Sequence, residues 1–179
     1  CGNGVSVSYF PIGTDDESLA RLLHHEAGGH GFSKLSDEYA YESSGRIPDN
    51  VVSEKKRLEA YGWGKNVDYT SDPSEVKWAH FLKDSRYANE GLGVYEGAAT
   101  YWLGAYRPTD NSIMNQNYGG FNAPSRESIY YRIHKLAYGE DWVYDYEEFV
   151  EYDAVNRARA AGTVRQDYVH KAFRPTAPP

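Results

Sequence analysis

Cysteine is almost missing from this sequence: Cys1 stands alone, which excludes an internal disulfide framework and leaves the redox compartment open. Methionine is as scarce, with Met114 the only one. No apolar run approaches the roughly 18 residues that a membrane-spanning helix needs, so no transmembrane segment is expected. Basic charge is not in excess either. The formal net charge is −7, and the densest basic cluster, Lys55-Lys56-Arg57, has Glu54 and Glu59 beside it and reads as a solvated helix face. A nucleic-acid partner is therefore not expected. No internal repeat is found.

What remains is the composition of an ordinary globular domain, 40% hydrophobic and 25% charged. A chain of 179 residues is long enough for one domain with a sizeable core and too short to expect two. Residues 1–160 are read as that domain, and residues 161–179, with Pro175, Pro178 and Pro179, as a tail.

Val5-Ser6-Val7-Ser8-Tyr9 alternates with period two, the pattern of an edge or half-buried strand. Thr14 followed by Glu17 forms a capping box, and Leu19, Leu22, Leu23 and Glu26 share a helical spacing. A helix is expected over about 15–31, weakened at its end by Gly28, Gly29 and Gly31. Residues 40–50 read as a polar surface loop, followed by a helix over about 51–61. Asp72, Pro73 and Glu75 predict another helix through about Leu82. Glycines interleaved with aromatics over 91–108 suggest short strands and turns. Pro124-Ser125 opens a helix with Ile129, Ile133 and Leu136 on one face, stopped by Gly139, and a last helix covers about 145–153.

Chemistry concentrates in His24-His25-Glu26-Ala27-Gly28-Gly29-His30 and Leu35-Ser36-Asp37-Glu38-Tyr39. Two imidazoles on one helix, with a glutamate directly after the first, make a metal site plus a general base. A catalytic zinc takes three protein ligands and keeps one position open. Glu26, beside the first histidine, is placed to move protons rather than to ligate. The spacing departs from the usual pattern, in which histidines at i and i+4 lie roughly 40° apart on an α-helix. His25 and His30 are five positions apart, roughly 140° in α-helical phase, too far to share one ion. A metal site therefore requires a π-bulge across Ala27-Gly28-Gly29, with at least one i→i+5 bond among residues 22–31. The acidic third ligand is ranked Asp37, then Glu96, then Glu38; hydrogen bonding to a ligand histidine is the role preferred for Glu38 and Tyr39.

The segment from His25 to Tyr39 resembles the active-site segment of the IgA-metallopeptidase family, a metzincin-like group of bacterial zinc peptidases. The likeness continues through Tyr95-Glu96-Gly97-Ala98, Tyr106-Arg107-Pro108 and Ser112-Ile113-Met114, and covers roughly residues 5–155. It implies an α+β zincin or metzincin-like catalytic domain: an active-site helix, a C-terminal helical subdomain, and an N-terminal sheet only partly contained in this chain. It further implies one Zn2+ and a protein or peptide substrate. An exported protein (secreted, periplasmic or cell-surface) follows from the same likeness, as does a reading frame that extends upstream of Cys1. Met114 would supply the methionine turn beneath the metal. Tyr106 and Tyr118 are expected to be packing residues, and Arg107 and His134 to make only ion-pair and surface contacts. The expected activity is zinc-dependent endopeptidase, with His25, His30 and Asp37 on the metal and Glu26 as base. A scaffold of the same shape that has lost catalysis and serves as a binding or adhesion module is the competing reading, and a zinc hydrolase of non-peptide bonds uses the same ligands.

Overall fold

The computed structural model describes residues 13 and 15–160. The strand expected at Val5–Tyr9, the cap expected at Thr14 and the tail at 161–179 lie outside the described residues. The architecture is mixed α+β, with a three-stranded sheet and seven α-helices among the described residues.

Helix α1 (Asp16–Leu22) is capped by Asp15, whose carboxylate accepts the Ser18 N–H at 2.9 Å. It runs without a break into a π-helix over Leu23–Phe32. The expected bulge is there, but it fills two turns rather than one. Ser33 N–H reaches the Gly28 carbonyl at 3.0 Å, an i→i+5 bond, and Leu35 N–H closes on the Gly29 carbonyl at 3.0 Å. Three glycines in that run leave room for the widened backbone.

Residues 40–46 are not the loop expected from their polarity. They form strand β1 (Ala40–Arg46), which pairs in parallel with β3 (Thr100–Arg107) through Ala40↔Thr100 and Tyr41↔Tyr101. The strand's side chains are mostly solvated, so no apolar alternation marks it, and its backbone pairing alone makes it a strand. Strand β2 (Tyr95–Ala98) flanks the other side of β3 antiparallel, in the order β1-β3-β2. Gly97 lies where the β2–β3 register shifts, at φ 99°, a conformation open to glycine. The turn into β3 uses Ala99 and Thr100 at φ 52° and 72°, a strained choice for a β-branched residue. Their N–H groups bind the carbonyls of Asp37 and Tyr39 at 2.9 and 3.0 Å, so the strained turn carries the segment that follows the π-helix.

Helix α2 (Asp49–Glu59) matches expectation within two residues. The helix expected from Asp72 does not: residues 73–78 are turns, and only α3 (Ala79–Lys83) is helical. Asp72 caps Ser74 as read, but Lys77 N–H turns away to the Asp68 carboxylate at 2.9 Å, which diverts the chain before a full helix can form. After the short α4 (Ile113–Gln116), α5 (Ala123–Tyr138) starts at the Asn122 cap and stops at Gly139. Its buried face is not the expected one. Ile133 and Leu136 are exposed, whereas Tyr130 is buried against Phe149 and Trp142. Helix α6 (Tyr146–Tyr152), capped by Asp145, and α7 (Ala154–Ala160) complete the described chain.

Two larger cores result. One packs Val76, Trp78, Phe81, Tyr87, Tyr130 and Phe149 between α3, α5 and α6; the other lies under the sheet around Ile47, Val67 and Ala105. A third, small cluster of Leu35, Ile113 and Met114 sits beside the π-helix. No described helix is long and apolar enough to cross a membrane.

Candidate metal centre

A step of five residues on a π-helix completes a little more than one turn, so His25 and His30 come back to roughly one face. Their ring centroids are 4.9 Å apart and nearly perpendicular. Each ring is pinned from behind by a backbone carbonyl: His25 Nδ1 lies 2.8 Å from the Ile113 oxygen and His30 Nδ1 2.8 Å from the Leu35 oxygen. A carbonyl only accepts, so both Nδ1 atoms carry the proton. The two Nε2 atoms then face a single carboxylate oxygen, Asp37 Oδ1, at 3.2 Å from His25 and 3.0 Å from His30.

That arrangement is unsatisfied with neutral rings. Two Nε2 lone pairs and a carboxylate would point at one another, and only a positive centre between them resolves the repulsion: protons on Nε2, or a metal ion. One donor atom from each of His25, His30 and Asp37 lies within 4.8 Å of the others, and tetrahedral zinc at about 2.0–2.2 Å from each ligand needs donors only about 3.3 Å apart. Backbone carbonyls holding the far nitrogens are the usual support of metal-binding histidines. The residues therefore fit zinc, and a nitrogen-rich three-donor set leaves a fourth position for water or substrate.

Protons leave their mark on the acid–base properties of the cluster. Burial lowers both imidazoles, but the Asp37 hydrogen bonds and charge outweigh it, with help from the Ile113 and Leu35 carbonyls, and both end above the ordinary histidine value. Asp37 moves the opposite way. Burial alone would raise it, yet the two histidine hydrogen bonds hold its carboxyl well below the usual carboxylate range.

Of the three acidic positions ranked from sequence, only Asp37 meets the histidines. Glu96 is spent on the sheet, accepting the Gly104 N–H at 2.8 Å. Glu38 is fully buried and does not bond either histidine, contrary to the role expected of it. Its oxygens accept from Asn66 Nδ2 at 2.8 Å, Asn122 Nδ2 at 2.9 and 3.0 Å, and the Ser112 hydroxyl. Its N–H binds the Met114 carbonyl at 2.8 Å. Glu38 thus fastens the turn whose Ile113 oxygen orients His25 to the Asp37–Tyr39 segment that leads into β1. Burial pushes its carboxyl up, against these hydrogen bonds. Tyr39 likewise bonds neither histidine; burial, and after it the Asp37 charge, lifts its hydroxyl well above the usual phenol range.

Glu26 is half-buried on the same helix, close enough to His30 for its charge to favour the imidazolium. Its carboxylate makes no hydrogen bond or ion pair among the described residues and stands outside the three-donor group. Met114 is fully buried and touches the site through the helix backbone. A Cβ on Gly29 would collide with its Sδ and lie 2.9 Å from its Cε, so Gly29, read from sequence only as tolerant of a bulge, is also needed for close approach. Tyr106 lies in the sheet against the aromatic core, as a packing residue would, whereas Tyr118 is exposed with Arg21 over its ring and does not pack in the interior. Arg107 does more than pair with a surface charge, since it donates to the Glu96, Gly97 and Thr109 carbonyls and braces the β2–β3 hairpin.

Asn66 and Asn122 are the residues that sequence reading missed. The Asn-Ala-Pro-Ser run did carry the signal of a helix cap for Asn122, but nothing local pointed its amide at Glu38. In comparisons with known proteins, no family model matches this chain and no curated relative matches it either.

Proposed function

We propose that this chain is the catalytic part of a zinc-dependent endopeptidase of zincin or metzincin type, exported from the cell, with His25, His30 and Asp37 as metal ligands. The reading is supported above all by two Nε2 atoms converging on Asp37 Oδ1 while both Nδ1 atoms are held by carbonyls. Zinc, when bound, supplies Lewis acidity that acidifies a water and polarises a carbonyl. Glu26 is the general base: its carboxylate, free of other partners, takes a proton from the attacking water and delivers it to the departing amine. His25 and His30 stay neutral in the working state, each committed through Nδ1 to a carbonyl. Asp37, held ionised by its surroundings, supplies the negative charge of the ligand set. The five-residue histidine spacing was the one feature that favoured a non-catalytic module, and the π-helical phase accounts for it.

The test joins metal content to hydrolysis of a denatured protein, before and after chelation. One zinc per chain and chelator-sensitive cleavage are expected. Glu26→Gln should keep the zinc and lose about 10²–10⁴-fold in rate. Full activity in that variant would move the base elsewhere, and stoichiometric zinc with no cleavage of any protein offered would favour the binding module.

A further inference from the structure

A cleft of about 790 Å³ opens on a face that none of His25, His30 and Asp37 lines. One wall is a continuous face of α5, where Pro124, Glu127, Ser128, Tyr131, Arg132 and Lys135 recur at helical spacing; the segment from Glu59 to Lys65 and the Lys77 side chain face it. Its size is that of a site for a small ligand or a short segment of chain.

Four cations (Lys65, Lys77, Arg132 and Lys135) and three carboxylates (Glu59, Glu127 and Glu140, the last 3.8 Å from Lys135) line it, a surplus of one positive charge. Glu59 is matched by Lys77 at 2.6 Å, and Glu127 by His80 at 3.1 Å and by the Tyr144 hydroxyl. Lys135 is committed to the Glu140 and Trp142 carbonyls at 2.9 Å each. The Lys65 and Arg132 side chains are left without a hydrogen bond or ion pair among the described residues. Arg132 Nε is buried with no partner, while its guanidinium sits 5.6 Å from the Phe32 ring centroid. A guanidinium steadied on an aromatic face with its donor edge unused is pre-set for a planar oxyanion. Ser33 adds a second unpaired donor: it is 2% exposed, lines the same cleft, and its hydroxyl meets no partner. The neighbouring Lys34 feels that charge, since after burial it is Arg132 that disfavours its ammonium. Tyr131 is 45% exposed in the wall and gives an apolar body something to lie on.

We infer that this cleft is a binding site for an oxyanion, carboxylate or phosphate, carried on an aromatic or apolar body, with Arg132, Lys65 and the Ser33 hydroxyl as its donors. The site is separate from the three-donor cluster and does not depend on zinc.

Calorimetric titration of the full chain with N-acetyl-phenylalanine and with phenyl phosphate tests it, with N-acetyl-phenylalanine amide as the neutral control. Both acids should bind and the amide should not. The tighter acid identifies the source, a peptide carboxylate or a phosphate ester. Arg132→Gln should weaken the acids about tenfold, the loss of a charge-assisted bond, and Lys65→Gln, on an exposed residue, about threefold. His25→Ala should leave both affinities unchanged, which separates this cleft from anions captured at a bound metal. If Arg132→Gln does not fold, Lys65→Gln carries the test. Equal binding of the amide, no heat from either acid at about 10 mM, or affinities lost in His25→Ala and kept in the cleft variants would overturn the inference.

Discussion

Around Glu38, buried polar side chains do what Phe81, Tyr87, Tyr130 and Phe149 do between α3, α5 and α6: they hold separate segments in one relative position. The means differ. Phe81 sits among Tyr87, Tyr146 and Phe149 with ring centroids 4.7–5.9 Å apart, edge to face. Such contacts are numerous, individually weak and tolerant of small shifts. Glu38 is surrounded by three donors with fixed geometry, and each loses a hydrogen bond if the carboxylate goes, although Asn66 keeps the Ser36 carbonyl and Asn122 the Thr109 hydroxyl. Aromatic packing therefore supplies stability to that part of the molecule, whereas the hydrogen-bonded knot supplies position, and the candidate metal centre is built on position. The contrast is not absolute, since Arg126 bridges Asp153 at 2.8 Å and Glu90 at 3.0 Å on the border of the aromatic core.

The comparison breaks most visibly at its two centres. Phe81→Ala should cost about 3–5 kcal/mol of stability and leave the zinc dissociation constant of the folded fraction unchanged. Glu38→Leu should cost about 3 kcal/mol, as the Ser112 hydroxyl is orphaned and the buried Asn66 and Asn122 amides each lose one of their acceptors, and should also weaken zinc about 10–100-fold because the turn behind His25 is released. Chemical denaturation with metal titration in parallel decides it. A Glu38→Leu protein with native zinc affinity would end the argument that the knot positions the histidines.

A smaller change sharpens the same point. Gly29→Ala adds one methyl group against Met114, whose side chain is fully buried and has little room to yield. About 1–3 kcal/mol of overpacking is expected, with reduced zinc binding. The double variant with Met114→Ala should recover part of both. No recovery would mean that Gly29 serves the π-helical backbone alone.

The gentlest probe is pH. In the metal-free protein His25 and His30 lie above their ordinary 6.5, so their contribution is complete below about pH 6.5 and disappears as pH rises through the folded values. Asp37 lies below its ordinary 3.8, so its contribution is present above about pH 4 and disappears as pH falls through the folded value. The chelated protein should thus draw most stability from the cluster between about pH 4 and 6.5. Zinc must displace the Nε2 protons, so the gap in Tm between loaded and chelated protein should widen from about pH 5 to 8. A gap that does not vary with pH would put the metal elsewhere.

Where sequence reading succeeded, the cause of the structure was local. Pro124 and Ser125 open α5, Gly139 stops it, α6 begins at the Asp145 boundary, and the glycines after Glu26 admit the i→i+5 bonding that two histidines five apart demanded. Where it failed, the cause lay at a distance. Strand β1 has no apolar alternation and exists through its pairing with β3, about sixty residues away in the chain. The helix expected from Asp72 is cut short by Asp68, and the apolar face read for α5 gave way to the one on which Tyr130 finds Phe149.

The site divides along the same line. Residue type and spacing alone pointed to His25, Glu26 and His30 as one unit, on the condition that the helix widen, because only i→i+5 bonding brings residues five apart back to one face. Which acid joins them was decided only by the tertiary structure. Asp37, Glu38 and Glu96 are chemically equivalent in sequence, and what separates them is where the Ala99–Thr100 turn, the Ser112–Met114 turn and the sheet place each carboxylate: toward the histidines, into the interior, and onto β3.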